Sequence, residues 1–220
     1  LNIVAVNKKS QESVTALEQK VQITSGQSVV NLDYNMGKDI KLWSEFSPEL
    51  YELRVQLKAV KSKSEKAVDF GMRKFSKKGT ALTINNKAVF LRGTLECNIF
   101  PLTGHPPMDK QGWQKVFKTA KEWGLNHLRF HSWCPPEAAF EVADEMGFYL
   151  QVELPVWVLN IGKDKKVTDF LYAEAQHMIE EYGNHPSFCM WSMGNELQGD
   201  MTLLTDMVKN IRTQDPRHLY

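Results

Sequence analysis

Cysteine is scarce and badly placed for cross-linking: Cys97, Cys134 and Cys189 are odd in number, far apart and never in a CxxC pair. That spacing argues against a disulfide framework and against a zinc ribbon. Also missing are GxG, GxxxxGK[ST], HExxH and GxSxG, so nucleotide-binding loops, zincin chemistry and nucleophile-elbow hydrolysis lose their usual carriers. No apolar run approaches the roughly 18 residues of a membrane span. The first residues open on Leu1 in a strand-like run and do not read as a signal peptide. Charge of one sign is not in excess either. Lys+Arg 27 against Asp+Glu 26 leaves +1, which gives nucleic acid, an anionic membrane or a polyanion no bulk attraction. What the chain does have is apolar material, 42% of 220 residues, enough for one large or two small domains and too much for a disordered chain.

Two periodicities divide it. In the first part, Val14-Thr15-Ala16-Leu17, Lys20-Val21-Gln22-Ile23 and Val29-Val30-Asn31-Leu32 read as short strands, with Ser25-Gly26-Gln27 as a turn. Tyr51, Leu53, Val55 and Leu57 alternate with polar residues, as in a half-buried strand, and the Lys/Ser-rich stretch from Lys58 to Lys66 reads as an exposed hairpin tip or loop. Short strands with turn signals predict a small antiparallel sandwich. From about Ala81 strand and helix alternate. Strands are predicted at Ala88–Leu91, Asn126–His131, Phe148–Glu153 and Phe188–Met193. Between and after them lie four helices: Gln111–Trp123 closed by Gly124, one after Pro135-Pro136 stopping at Gly147, one capped by Thr168 and ending near Gly183, and one through Leu203, Met207 and Ile211.

Successive β-then-α units imply a parallel sheet, either doubly wound or part of a (β/α)₈ barrel. The ends of the strands decide between them. Arg92 and Glu96 follow strand one, Arg129 to Trp133 strand two, Glu153 and Trp157 strand three, and Trp191 to Glu196 strand four. Polar and aromatic groups at four successive strand ends suit the active face of a barrel, and the Gly-rich turn of a doubly wound sheet is missing. The tract from Ala81 to Tyr220 falls short of the roughly 200 residues of a complete barrel.

The residue types suit sugar chemistry. Indoles at Trp133, Trp157 and Trp191 offer flat faces to sugar rings, although Trp191, inside a strand, suits the core. Arg, His, Asn and carboxylate groups can hold hydroxyls. A carboxylic acid packed among aromatics can protonate a leaving glycosidic oxygen while a second carboxyl serves the oxocarbenium-like centre. Structural alternatives stand beside these roles: Arg129 and Glu153 as a buried ion pair, His131 as a core histidine, Trp133 and Trp157 as packing, and Glu96 as a solvated loop residue.

Four stretches resemble glycoside hydrolase family 2. Leu42-Trp43-Ser44 through Ser47-Pro48-Glu49-Leu50-Tyr51-Glu52-Leu53 is similar to a strand of that family's immunoglobulin-like domain. Asp69 to Arg73, then Ile84 to Gly93, resemble its passage from sandwich to barrel. Trp191-Ser192-Met193-Gly194-Asn195-Glu196, after Asn184-His185-Pro186-Ser187, resembles its acid/base signature. The resemblance implies an immunoglobulin-like β-sandwich over residues 1–79 followed by the first half of a (β/α)₈ TIM barrel over residues 80–220.

It further implies a retaining glycosidase, β-galactosidase-like, with Glu196 as general acid/base. Asn195 would hold the hydroxyl next to the anomeric carbon, and the nucleophile Glu, at barrel strand seven, would lie beyond this chain. Substrate contacts are expected from Asn195, Arg129, His131, Trp133, Glu153, Trp157 and Glu96. Three departures point away from an ordinary β-galactosidase and from an inherited metal site. Cys97 stands at a His position, Phe130-His131-Ser132-Trp133 replaces an "SHYP" run, and Glu153-Leu154-Pro155-Val156-Trp157 replaces an Asn-containing loop. A uronic acid or a pentose is the expected alternative sugar. No cofactor and no metal are expected. The expected partners are a carbohydrate and the remainder of the polypeptide (the other barrel half and an N-terminal sandwich), with a homo-oligomer as a further option. Periplasmic or secreted placement is favoured if the substrate is a polysaccharide. The competing reading is a non-catalytic carbohydrate-binding or interaction module that keeps the fold.

Overall fold

The computed structural model describes residues 1–23 and 26–220. Ser25 of the predicted Ser25-Gly26-Gln27 turn lies outside the described residues. The N-terminal part is built on a four-stranded antiparallel sheet in the order β2-β1-β3-β4, with β1 Asn2–Asn7, β2 Leu17–Glu18, β3 Tyr51–Lys58 and β4 Lys63–Phe70. The alternating apolar residues of Tyr51–Leu57 do form a strand, paired with both β1 and β4.

Other expectations here are corrected. Of the three short N-terminal strands only Leu17–Glu18 pairs, while Lys20–Ile23 and Val29–Leu32 run without a ladder. Val29 and Ile23 are exposed, and an apolar pair without a neighbouring strand gains nothing from extension. The stretch Lys58–Lys66 does hold an exposed hairpin tip, closed by a hydrogen bond from Ala59 N to the Ser62 carbonyl at 2.8 Å, but β4 already starts at Lys63, so the rest of the stretch is strand and not loop. Its lysines are those of an edge strand, where charge discourages further pairing.

A second, three-stranded antiparallel sheet follows, with β5 Phe75–Lys78, β6 Ala81–Ile84 and β7 Lys87–Ala88. A boundary at 79/80 would cut this sheet at the two-residue turn of hairpin β5–β6.

Four parallel strands come next, in the sequential order β8 Gly93–Glu96, β9 His127–Phe130, β10 Tyr149–Glu153 and β11 Phe188–Ser192. A sequential order is the barrel-type winding; a doubly wound sheet reverses direction at its first strand. The first of these strands is not the predicted Ala88–Leu91. Lys87–Ala88 pairs back onto β6, Phe90 is 77% exposed, and the less apolar Gly93–Glu96 takes the place beside β9. Backbone space explains the choice: a Cβ on Gly93 would lie 2.2 Å from His127 Nδ1, so only glycine lets the two strands meet there.

Helices α1 Lys110–Glu122, α2 Glu137–Met146, α3 Lys165–Tyr182 and α4 Met201–Gln214 connect and follow the strands. The cap of α3 is Asp164, whose carboxylate accepts from Lys166 N at 2.8 Å. Thr168, the predicted cap, lies one turn inside and bonds back to the Asp164 carbonyl.

Leu128, Phe130, Leu150, Val152, Phe188 and Trp191 turn to the helices and pack with Trp113, Phe117, Phe140, Leu171 and Met207. Trp191 is therefore core, stacked on Tyr220 with centroids 6.0 Å apart. A smaller core joins the two parts through Trp43, Leu50, Phe75, Tyr149 and Cys189. It lies under the N-terminal ends of the parallel strands and leaves their C-terminal ends open.

Candidate active site

Alternation along the parallel strands sorts side chains between the helices and the opposite face. On β9 Leu128 and Phe130 go to the core, so His127 and Arg129 face the other way; on β10 Gln151 and Glu153 do the same. A register shift between Leu150 and Gln151 brings Met190 and Ser192 of β11 opposite Gln151 and Glu153. The polar face is knitted by Gln151 Nε2 donating to Ser192 Oγ at 2.8 Å.

Glu153 is fully buried at the end of β10. Its Oε1 accepts from Arg129 Nε at 2.5 Å and its Oε2 from the backbone N–H of Ser132 at 2.6 Å. The half-buried Arg129 also donates from Nη2 to Asn195 Oδ1 at 2.9 Å. Ser132 sits at φ 58, a left-handed conformation that serine rarely adopts, and its buried Oγ has no partner among the described residues.

The loops after β10 and β11 run together as an irregular ribbon. Asn195 N donates to Val156 O at 3.1 Å, Gln198 N to Val158 O at 3.2 Å, and Ile161 N to Gln198 O at 2.8 Å. Gly194 permits the approach: it stands at φ 131, and a Cβ there would meet Val156 O at 2.5 Å. The ribbon sets Trp157 beside Glu196, with indole Nε1 donating to Glu196 Oε2 at 2.9 Å. Trp157 is 55% exposed and Glu196 is exposed, so a flat ring and a carboxylate share an open surface. Glu196 is itself left-handed, at φ 49. Such a backbone conformation costs energy that neighbouring contacts must offset, and it concentrates at functional sites.

Glu96 ends β8. Burial raises its carboxyl above the usual range, against the opposing backbone N–H groups of Asn98 and Ile99. Asn98 N lies 3.1 and 3.0 Å from its two oxygens. The Glu96 carbonyl accepts from His131 N at 2.9 Å and from Trp133 Nε1 at 3.2 Å. Trp133 is half-buried and packs edge-on against Phe130, centroids 5.3 Å apart. The His131 ring makes no hydrogen bond among the described residues.

All eight sequence-predicted site residues thus stand at the C-terminal edge of the parallel sheet. Glu153, Arg129 and Asn195 form one hydrogen-bonded chain, Trp157 and Glu196 form a pair, and Glu96, His131 and Trp133 meet at one carbonyl. Arg92, expected at a strand end, is at the opposite end of the sheet. There it pairs with Glu45 at 3.0 Å and donates to Gly124 O, because the strand begins after it. Sequence reasoning missed Ser132 and Gly194. Gly194 had a signal, a glycine inside the Gly194-Asn195-Glu196 run; Ser132 had none, since its left-handed backbone depends on a distant carboxylate.

Residues 76–219 match the family model for glycosyl hydrolases family 2, TIM barrel domain, and residues 2–73 match the model for glycosyl hydrolases family 2. Among curated proteins, the chain is 28% identical over 216 residues to a β-galactosidase of Thermoanaerobacterium thermosulfurigenes, which covers 97% of this chain and 30% of that protein. It is 29% identical over 206 residues to a putative β-glucuronidase of Formosa agariphila, covering 90% of this chain and 19% of that protein. The chain therefore spans less than a third of the length of either relative.

Among solved structures, it is similar in fold to Bacteroides uniformis β-glucuronidase 2, with a TM-score of 0.87, 18% identity, and coverage of 99% of this chain and 28% of that one. It is also similar to the β-D-glucuronidase of Dictyoglomus thermophilum, with a TM-score of 0.80, 22% identity, and coverage of 99% and 38%.

Proposed function

The chain belongs to glycosyl hydrolases family 2, and from that premise we propose that it carries the acid/base side of a retaining glycosidase site. The observation that carries the reading is the exposed Glu196, set beside Asn195 at the end of β11 with one carboxylate oxygen held by the Trp157 indole. With Oε2 occupied, Oε1 is left to carry the proton that the leaving glycosidic oxygen takes, and the resulting carboxylate then accepts a proton from water. Trp157 offers the sugar an apolar face. Asn195 holds the hydroxyl next to the anomeric carbon.

A retaining reaction needs a second carboxyl about 5–5.5 Å from the first. Glu153 is not that group, because it is fully buried against Arg129 and the Ser132 N–H, out of reach of a sugar. We assign the nucleophile to the part of the polypeptide that these 220 residues do not span. The same reading makes residues 1–79 an immunoglobulin-like sandwich and residues 80–220 the first half of an eight-stranded barrel, supported by the sequential order of the parallel strands. The substrate is a carbohydrate cleaved from a non-reducing end. Cys97 at a His position of galactoside-cleaving relatives favours another sugar, and the similarity to a putative β-glucuronidase makes a uronic acid the first to try.

The test is a panel of aryl glycosides of glucuronic acid, galacturonic acid, galactose, mannose and arabinose, given to the natural protein that carries this chain. Release from one of them with retained anomeric configuration supports the reading. Binding of a sugar without cleavage of any glycoside overturns it in favour of a binding module.

A further inference from the structure

The chain from Glu153 through Arg129 to Asn195 constrains more than an ion pair. Guanidinium has donors and no acceptor, so the Asn195 amide must turn its oxygen to Arg129 Nη2, 2.9 Å away. Its Nδ2 is thereby directed elsewhere, as a donor. Arg129 is in turn held by the buried Glu153, and the other oxygen of Glu153 holds the N–H of Ser132, the left-handed residue between His131 and Trp133. One carboxylate thus reaches two of the loops that make the site, directly at Ser132 and through Arg129 at Asn195, and it does so from a fully buried position.

We propose that Glu153 is a positioning residue: through Arg129 it holds the Asn195 amide so that Nδ2 donates to the sugar hydroxyl beside the anomeric carbon, and through Ser132 it sets the loop bearing His131 and Trp133. The proposal rests on the glycosidase reading. A glutamine at 153 keeps the volume but puts an NH₂ group against either Arg129 Nε or Ser132 N, so one of the two bonds is lost. Arg129→Lys keeps the charge but cannot fork to both Glu153 and Asn195.

The experiment compares kcat/KM of the natural protein and its variants on the glycoside it hydrolyses and on the 2-deoxy analogue, with thermal melting of each variant alongside. Glu153→Gln is expected to lower kcat/KM on the hydroxylated substrate by about 10–100-fold, mostly in kcat, and on the 2-deoxy analogue by less than about threefold. In an Asn195→Ala background Glu153→Gln should add little, since the two act on one contact. Arg129→Lys should show the same selectivity, and it serves as the reporter if Glu153→Gln does not fold.

Equal losses on the two substrates, or full additivity with Asn195→Ala, overturn the relay and leave Glu153 a packing carboxylate. Glu196→Gln separates the two levels. If it is as active as the parent, the acid/base role of Glu196 falls, and the relay built on the site around it falls too. If it is inactive while the 153 and 129 variants ignore the 2-hydroxyl, the relay alone falls.

Discussion

His127 shows how one residue couples the site's sheet to pH. It faces the same side of β9 as Arg129, its ring lies against Gly93, and its buried Nε2 has no partner among the described residues. Burial, with the Arg129 charge adding to it, pushes its pKa down to about 4. The unfolded chain takes up this proton near pH 6.5 and the folded chain only near 4, so the neutral ring's contribution is complete above 6.5 and is lost as pH falls through that window. The loss amounts to about 3 kcal/mol. Denaturation midpoints of the parent should fall more steeply between pH 6.5 and 4 than those of His127→Gln; identical slopes would contradict the assignment. At this scale the sequence was informative where chemistry follows residue type. The placement of Glu196, Asn195 and Arg129 at the ends of neighbouring strands was legible from the Gly194-Asn195-Glu196 run and the strand-end arginine. The division of labour was not, because whether Glu153 meets a sugar or the interior depends on Ser132, a contact across 21 positions of sequence.

Elements were legible where the apolar period was long and strong. Trp113 and Phe117 mark α1, and Gly147 stops α2. Elements defined by a partner rather than by their own composition were misread: β4 looks like a loop because an edge strand needs few apolar residues, and Ala88–Leu91 outshone Gly93–Glu96 because it is the more apolar run. Gly147 also illustrates what a pattern leaves out. It stands at φ 66, and a Cβ there would lie 2.5 Å from the backbone oxygen of Glu45, in the segment whose carboxylate binds Arg92 and Asn126. Gly147→Ala should therefore cost about 2–3 kcal/mol, from the left-handed backbone together with the displaced segment. Urea unfolding measures this, and a cost below about 0.5 kcal/mol would contradict it.

At the scale of the molecule, the antiparallel part is seated on the N-terminal ends of the parallel strands. Trp43 Nε1 donates to Asp144 O at 2.8 Å, and the Arg73 guanidinium binds the carbonyls of Pro186 (3.0 Å), Phe188 and Arg217. Gly71 allows the closeness, since a Cβ would fall 2.6 Å from the Pro186 ring. Removing the guanidinium leaves three carbonyls short of a donor, so Arg73→Ala should destabilise by roughly 2–4 kcal/mol and uncouple the two parts. Calorimetry should show one transition becoming two; a single unshifted transition would contradict the coupling. The two-part plan was legible in the change of period near Ala81, whereas Arg73 as its joint was not, because its partners lie more than a hundred residues away.

The seating leaves the opposite edge of the sheet free, and the central claim is that Glu196 acts there as the proton donor. The most direct measurement is kcat/KM of the natural protein and of Glu196→Ala on two glycosides of the same sugar, one with an alkyl leaving group and one with a dinitrophenyl leaving group. The alkyl group needs a proton to depart and should lose at least about a hundredfold. The dinitrophenyl group needs none and should lose less than about tenfold. Losses of equal size on the two, or no loss on either, would contradict the assignment of Glu196.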